Sequence, residues 1–459
     1  MEKERPWGAA PSPRLVGLGL GVSACACLAP WAPGAASLAA LVAAGAVAAA
    51  SFDLMWSRGP GLRVEVVGED GAAVERLRLR EGHPQALRLA IQWGTAGKRA
   101  PRWMALMAGN ADFAGAIETP AGRWRLRPSG AARELWQGEV AGRARGRFRG
   151  LRCGLEQASR LGLWRMREWQ TLACEFCVYP DWAAGRRALL RSPVYRALAA
   201  AAAMPLTGQG REFERLREYQ SGDNYADVSW KATARRAHPV TRLYQWEQQQ
   251  EIYFVVEHGR LSRRAGGGGR RPLERYIETA LVGATAAAEL GDRFGLISFA
   301  DEVSQWVAAG SGRAHFRACR ERLLELKPQR VTPNFERLFA AIRTRLRRRC
   351  YLLFLTDLTE RGLAESFRQA AGLVRRTHLL LATSLLPPEA RPLGQRALPA
   401  EAGVEAVYGE LAADRELRRI EGLRAQLAVA GVQFRAVPEG QFLLAAIHGY
   451  LEGKREQRL

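Results

Sequence analysis

Two uncharged stretches near the amino end limit what this chain can fold into more than any other feature. Leu15 to Ala29 carries no charged side chain, and neither does Gly34 to Phe52. Runs of about 15–19 residues sit at the lower edge of what crosses ~30 Å of hydrocarbon. Pro30-Trp31-Ala32-Pro33 lies between them, a helix breaker with an interfacial aromatic. Lys3, Arg5 and Arg14 precede the first run, and Arg58 and Arg63 follow the second. The connecting turn has no basic residue, so the positive-inside rule puts both ends in the cytoplasm. The expected element is a transmembrane helical hairpin over residues 1–58. Two other readings use the same residues, a signal peptide and a soluble Ala-rich hairpin. A second apolar run so soon after the first argues against the signal peptide. The Gly17-x-Gly19-x-Gly21 spacing follows no strand, so it is read as helix packing rather than a phosphate loop.

The chain has 459 residues, and 68 Lys+Arg against 46 Asp+Glu leave a net charge of +22. Such a surplus suggests nucleic acid, but a binder of that kind gathers its basic residues on one face or tail. Here the arginines are spread through almost every segment after Arg58, and only five lysines occur: Lys3, Lys98, Lys231, Lys327 and Lys454. Seven cysteines in so long a chain are no disulfide framework. Cys174 and Cys177 form a CxxC pair, in a stretch from Thr171 to Tyr179 that reads as a strand. Residues i and i+3 of a strand point to opposite faces, so the two thiols are read as structural.

Residues 59–180 read as a β-rich, sandwich-like domain. Leu62 to Gly68, Ala86 to Trp93 and Trp124 to Arg127 alternate apolar and polar residues between turn signals. Arg143, Arg145, Arg147 and Arg149 alternate with small or apolar residues. On a strand they would share one face as a basic stripe facing solvent, lipid headgroups or an acidic partner.

The most informative stretch runs from Gly208 to Arg235, within a linking segment at 181–250. Glu212, Phe213, Arg217 and Tyr219 precede the turn Ser221-Gly222-Asp223, and Trp230, Lys231 and Arg235 follow it. Guanidinium groups pair well with carboxylates, so a salt-bridge cluster is one reading. Another is an enzyme site with Asp223 as general base and Arg217 or Lys231 as electrophile. The order G-x-G-x-E-F-x-x-L-R-x-Y-x-x-G-D, followed by W-K-x-[ST]-A-R, resembles the bacterial "domain of unknown function 58" family. These are membrane-anchored proteins with a von Willebrand factor A-like domain. Ala226 and Ser229 depart from the family pattern, which usually has Arg and Asp there. Leu161-Gly-Leu-Trp164 and Val178-Tyr-Pro180 resemble the phrase that closes the family's β segment.

From Glu251 the pattern alternates strands with helices, implying a parallel sheet with helices on both faces over residues 251–459. That pattern fits a von Willebrand A-like fold. The expected whole is therefore a multidomain membrane protein: hairpin, sandwich-like domain, linking motif and Rossmann-type α/β domain. The resemblance also implies a Mg²⁺ site on D-x-S-x-S plus a Thr and an Asp. Here the positions read Glu257, Gly259 and Leu261, with Thr332 and Asp357 in plausible places, and Arg260 would oppose a cation. Glu257, Thr332 and Asp357 are thus candidates for a degenerate site, and no cofactor is expected. Asp357 is expected to end a strand and pair with Arg260. The loop Arg263 to Arg271 lacks the ending of a P-loop. The expected function is a non-enzymatic protein-interaction module at the bacterial inner membrane, multi-pass, with most of the chain cytoplasmic. By the resemblance, its partner class includes a MoxR-type AAA+ ATPase, in complex assembly or envelope maintenance. A hydrolase-like enzyme and a basic nucleic-acid binder are the alternatives.

Overall fold

The structure is a computed structural model. It describes residues 7–27, 35–57, 62–93, 101, 103–119, 123–125, 133–202, 207–208, 212–220, 225, 228–236, 238–245, 250–264, 270–387, 390 and 404–456. The chain divides into two compact units, Met1–Asp181 and Trp182–Leu459.

In the first unit the uncharged runs form helices Pro13–Cys27 and Ala35–Ser57, which pack against each other. At 15 residues the first spans about 22 Å, short of ~30 Å of hydrocarbon. Ser37–Ser57 is the one helix among the described residues that is long and apolar enough to cross a membrane. Trp7–Pro11, a strand that sequence reasoning overlooked, leads directly into the first helix.

That strand edges a five-stranded sheet, followed in order by Trp164–Thr171, Leu151–Ala158, Trp103–Ala108 and Arg123–Arg125. A four-stranded sheet runs Leu62–Val67, Pro84–Trp93, Arg133–Gly142 and Ile117–Glu118, and a three-stranded sheet completes the unit. Alternate residues of these strands meet in one core. Val64, Leu89 and Ile91 pack with Met104, Leu155 and Phe176. The period-2 pattern therefore does what it predicts, burying one face of each strand.

Two local expectations fail here. The arginine stripe is not one strand: only Gly146–Phe148 is extended, because Gly146 (φ 146°) and Gly150 (φ 122°) bend the chain on either side. Arg143 pairs with Glu118 at 3.0 Å and Arg149 with Glu175 at 3.2 Å. Thr171 to Tyr179 is likewise broken, with strands ending at Thr171 and restarting at Glu175. Cys174 and Cys177 are both buried thiols.

The second unit centres on a six-stranded sheet. Its order is Val303–Gly310, Arg293–Phe299, Glu251–Glu257, Tyr351–Leu355, Leu379–Leu385, Val432–Val437. All pairings are parallel except that of the Val303–Gly310 edge. In chain order this reads 3-2-1-4-5-6, the doubly wound arrangement. Near-continuous apolar strands such as Tyr351–Leu355 are buried end to end because helices cover both faces. One face packs on Pro272–Glu289 and Phe442–Glu456, the other on Phe335–Arg345 and Arg361–Ala371. Leu189 and Tyr195, from helices Ala183–Arg191 and Pro193–Ala202, join the first of these cores.

Candidate functional site

In a doubly wound sheet, strand order reverses between the first and fourth strands, and a crevice opens beyond their carboxyl ends. Glu257 ends the first strand and Asp357 lies two residues past the fourth, so both fall at that switch point. Thr332 reaches it from a loop held at two places. Asn334 caps helix Phe335–Arg345 by accepting from the Arg337 amide at 3.0 Å, and the Arg260 amide donates to Val331 O at 2.8 Å. The three residues proposed from sequence are therefore brought to one rim.

Their side chains are already engaged. Glu257 is fully buried and accepts from the Gly259 amide (3.0 Å), the Thr356 hydroxyl (3.1 Å) and the Asp357 amide (3.3 Å). Those donors favour the carboxylate, but burial outweighs them and holds its pKa up to about 7. Asp357 accepts from the Thr359 amide at 2.9 Å and hydroxyl at 2.5 Å, and burial raises its pKa too. The Tyr276 hydroxyl is buried behind the pair without a hydrogen-bond partner among the described residues.

Arg260 does not pair with Asp357, as the sequence suggested. Its Nε donates to the Thr332 hydroxyl at 3.3 Å, and its two terminal nitrogens form a fork on the Glu360 carboxylate, with Nη1 at 3.0 Å. Arg264 donates to the same carboxylate at 3.3 Å. Planar guanidinium and carboxylate match in two parallel bonds, so Glu360 wins over a one-point contact. A Cβ on Gly259 would stand 2.8 Å from Val331 O and 2.9 Å from Glu257 Oε1, leaving no room for a serine without a shift. The residues thus do not fit a divalent ion: Thr332 is occupied by a cationic group, and the two acids are spent on internal donors. Among the described residues no group of three or more His, Cys, Asp or Glu could hold a metal. His258 is also committed, its Nε2 to Ser304 (2.7 Å) and its Nδ1 to Lys327 O (3.1 Å).

Of the motif residues, Gly222 and Asp223 lie outside the described residues, as do the side chains of Glu212 and Phe213. Arg217 sits on strand Glu212–Glu218, opposite Thr241, and donates to Gln220 at 3.0 Å. Tyr219 stacks at a tilt on Tyr225, ring centroids 5.8 Å apart. Trp230, Lys231 and Arg235 belong to the short helix Trp230–Arg236, all three exposed. Among the described residues of this stretch Val228 and Ser229 are buried, as are Val240 and Thr241 of the following strand Val240–Gln245. A family model described as "Protein of unknown function DUF58" matches residues 215–428, from inside this motif to the helix after the fifth strand. Residues 215–428, just under half of the chain, are thus similar to the DUF58 family. No curated protein matches the chain.

Among solved structures, the chain is similar to BatB from Bacteroides thetaiotaomicron, at 11% identity and a TM-score of 0.29 over 44% of this chain and 99% of that one. It is similar to the SpRpn10 VWA domain at 8% identity and a TM-score of 0.26, over 43% and 94%. It is also similar to an uncharacterized membrane spanning protein from Vibrio fischeri, at 15% identity and a TM-score of 0.18, over 45% and 98%. At such scores these likenesses carry no weight for function, and the fold of the DUF58 region rests on its own strand order.

The DUF58 region contains all of Glu257, Arg260, Thr332, Asp357 and Glu360. Sequence reasoning missed Glu360 and the Thr356 and Thr359 hydroxyls. Glu360 carries no motif signal, because it is 100 residues from Arg260 and meets it only through the fold.

Proposed function

We propose that the chain is a membrane-anchored, non-enzymatic protein-interaction module whose α/β rim works without a metal ion. The observation that carries this reading is the Arg260 guanidinium bonded to Thr332 and Glu360 at the sheet's switch point. A cation supplied by the chain stands where a divalent ion would have to bind. Arg263, Arg264 and Arg271 flank it with exposed positive charge, which favours an acidic partner surface.

The organisation proposed with it is a hairpin at 1–58, a β-rich domain at 59–180, a linking motif at 181–250 and a von Willebrand A-like domain at 251–459. Motif residues Glu212, Phe213, Arg217, Tyr219, Gly222, Asp223, Trp230, Lys231 and Arg235 are assigned to an interaction surface or its scaffold rather than to catalysis. The proposed location is the bacterial inner membrane, with both chain ends cytoplasmic. One feature supports that topology: Pro11 leads into the first helix and Asp53 near the end of the second bonds Leu161 and Leu163, all at one end of one sheet.

The proposed partner is a MoxR-type AAA+ ATPase. Capture of the full chain from detergent-solubilised membranes with ATP tests this. An ATPase recovered with the wild-type chain and lost with Arg260→Ala is the expected result. Recovery of no ATPase refutes the partner, and micromolar Mg²⁺ or Mn²⁺ binding by the chain alone in isothermal titration refutes the metal-free rim.

A further inference from the structure

The five-stranded sheet of the first unit turns one face to its core and the other outward. On the outer face, cross-strand register sets Trp103 beside Glu156 and Glu156 beside Arg167, with Ala105, Gly154 and Trp169 in the next row. Ala105 and Gly154 are small, so the Trp169 ring leans over Gly154 and a hollow is left between it and the Trp103 indole. A Cβ on Gly154 would lie 2.7 Å from the Trp169 ring, so only glycine leaves that ring where it is. The hollow is a cavity of 360 Å³ lined by these six residues, Met104 and Leu155. Glu156 is 7% exposed and lies within it, bonded by Arg167 Nε at 2.9 Å.

We propose that this cavity takes the headgroup of a zwitterionic aminoalkyl-phosphate lipid, of which phosphatidylethanolamine is the simplest. The Trp169 ring already carries the Arg152 guanidinium, 5.6 Å from its centroid, so the Trp103 indole and the buried carboxylate are the groups that suit an ammonium, since a ring quadrupole and a negative charge both attract it. Arg167, half-exposed at the mouth, suits the phosphate on the same headgroup. An anionic headgroup without an ammonium would meet Glu156 unfavourably.

Position selects the lipid over a free solute. The proposal rests on reading Ser37–Ser57 as a membrane span. Ser159, three residues beyond Glu156, donates its hydroxyl to Asp53 of that helix at 2.5 Å. At about 3.3 Å per strand residue, Glu156 is roughly 10 Å from this contact. Gly8, opposite Arg167, is as close to Pro11, where the chain enters the first helix. The cavity therefore lies within reach of the headgroup layer.

Native mass spectrometry of the full chain in detergent, titrated with phosphatidylethanolamine or phosphatidylglycerol, tests the assignment. Expected is one phosphatidylethanolamine retained about tenfold better than phosphatidylglycerol, with Glu156→Gln and Trp103→Ala each lowering that retention about tenfold. The isosteric Glu156→Gln keeps an oxygen for Arg167, and Trp103 is 37% exposed, so both variants test binding in a folded chain. Equal retention of the two lipids overturns the proposal, as does wild-type retention by both variants. Displacement of the lipid by equimolar O-phosphoethanolamine overturns the lipid source. Release of the chain from membranes by alkaline carbonate refutes the span itself, and the detergent measurement is independent of that result.

Discussion

Between about pH 4.5 and 7, Glu257 gains a proton when the α/β unit folds. Its carboxyl moves from an ordinary 4.5 to about 7 because the loss of water on burial outweighs the three donors that replace part of it. A raised carboxyl pKa contributes stability that is full below about 4.5 and lost as pH rises through about 7. The gap corresponds to about 3 kcal/mol. Urea midpoints of the full chain measured from pH 4.5 to 8 should fall with pH. In Glu257→Gln, neutral at every pH, most of that fall should vanish, leaving the smaller slope of Asp357. A slope unchanged by the substitution counts against the burial argument. The buried thiols allow a second check. Desolvation pushes Cys153 up to about 12 and Cys174 up to about 11, so neither is a thiolate near neutral pH. Iodoacetamide should label both only after denaturant is added. Rapid labelling of Cys174 in the native protein would revive a redox or metal role for the CxxC pair. The residues of the rim were legible as types and positions. Which acid Arg260 would choose was not, because a fork between residues 260 and 360 depends on how two loops of the sheet meet.

Asp53 shows how an apolar helix is joined to a sheet. It is fully buried, and its carboxylate accepts from the Ser159 hydroxyl (2.5 Å), the Leu161 amide (2.8 Å) and the Leu163 amide (3.2 Å). The Trp164 indole donates to Ala50 O at 2.8 Å, and Arg160 lies over the Trp56 ring at 4.3 Å. The Leu161-Gly-Leu-Trp164 phrase is thus the turn that receives the helix. Asp53→Ala orphans these three donors and the Ser57 hydroxyl (3.4 Å), for a loss of about 3 kcal/mol or more. Asp53→Asn keeps one acceptor oxygen and should lose less. Thermal midpoints in detergent should rank wild type, Asn, Ala, and equal midpoints for all three refute the clamp. The carboxyl-terminal helix has its own anchor. Lys454, 3% exposed at its side chain, pairs with the fully buried Asp292, which also accepts from Tyr450. Lys454→Met leaves that acid buried without its cation and should destabilise the unit by about 3–5 kcal/mol. A loss below 1 kcal/mol in urea titrations refutes this pair as the helix's anchor. Many strands and helices were legible from periodicity, since each buries one face or both. Others were not, and three show why. Trp7–Pro11 has no alternation to read, Val303–Gly310 is a half-exposed edge, and Arg361–Ala371 follows a loop with no strong stop signal. The Asp53 clamp was invisible for a different reason. A lone acid at the end of an apolar run reads as its boundary until the turn 106 residues away is seen against it.

For the whole molecule, the +22 charge and the apolar helix make opposite predictions about what holds the chain in a cell. Acids across both units already pair with part of the arginine. Glu175 takes Arg76 and Arg149, Glu278 takes Arg270 and Arg275, and Glu360 takes Arg260 and Arg264. In the sequence the remaining arginines are spread through both units, whereas a nucleic-acid groove gathers its charge into one stripe. Exposed charge acts over a Debye length of about 8 Å at physiological salt and about 3 Å at 1 M. Anything held by charge alone should therefore come off as salt rises. An apolar helix of 23 residues is indifferent to salt, because its free energy comes from surface withdrawn from water. Membranes from cells expressing the full chain should keep it through washes at 1 M NaCl and at alkaline pH, and release it only to detergent. The detergent-solubilised protein should leave immobilised DNA as salt passes the physiological range. Release from the membrane at 1 M NaCl, together with retention on DNA above that range, would reverse the order of the two forces. It would identify the arginines, not the helix, as what positions this protein.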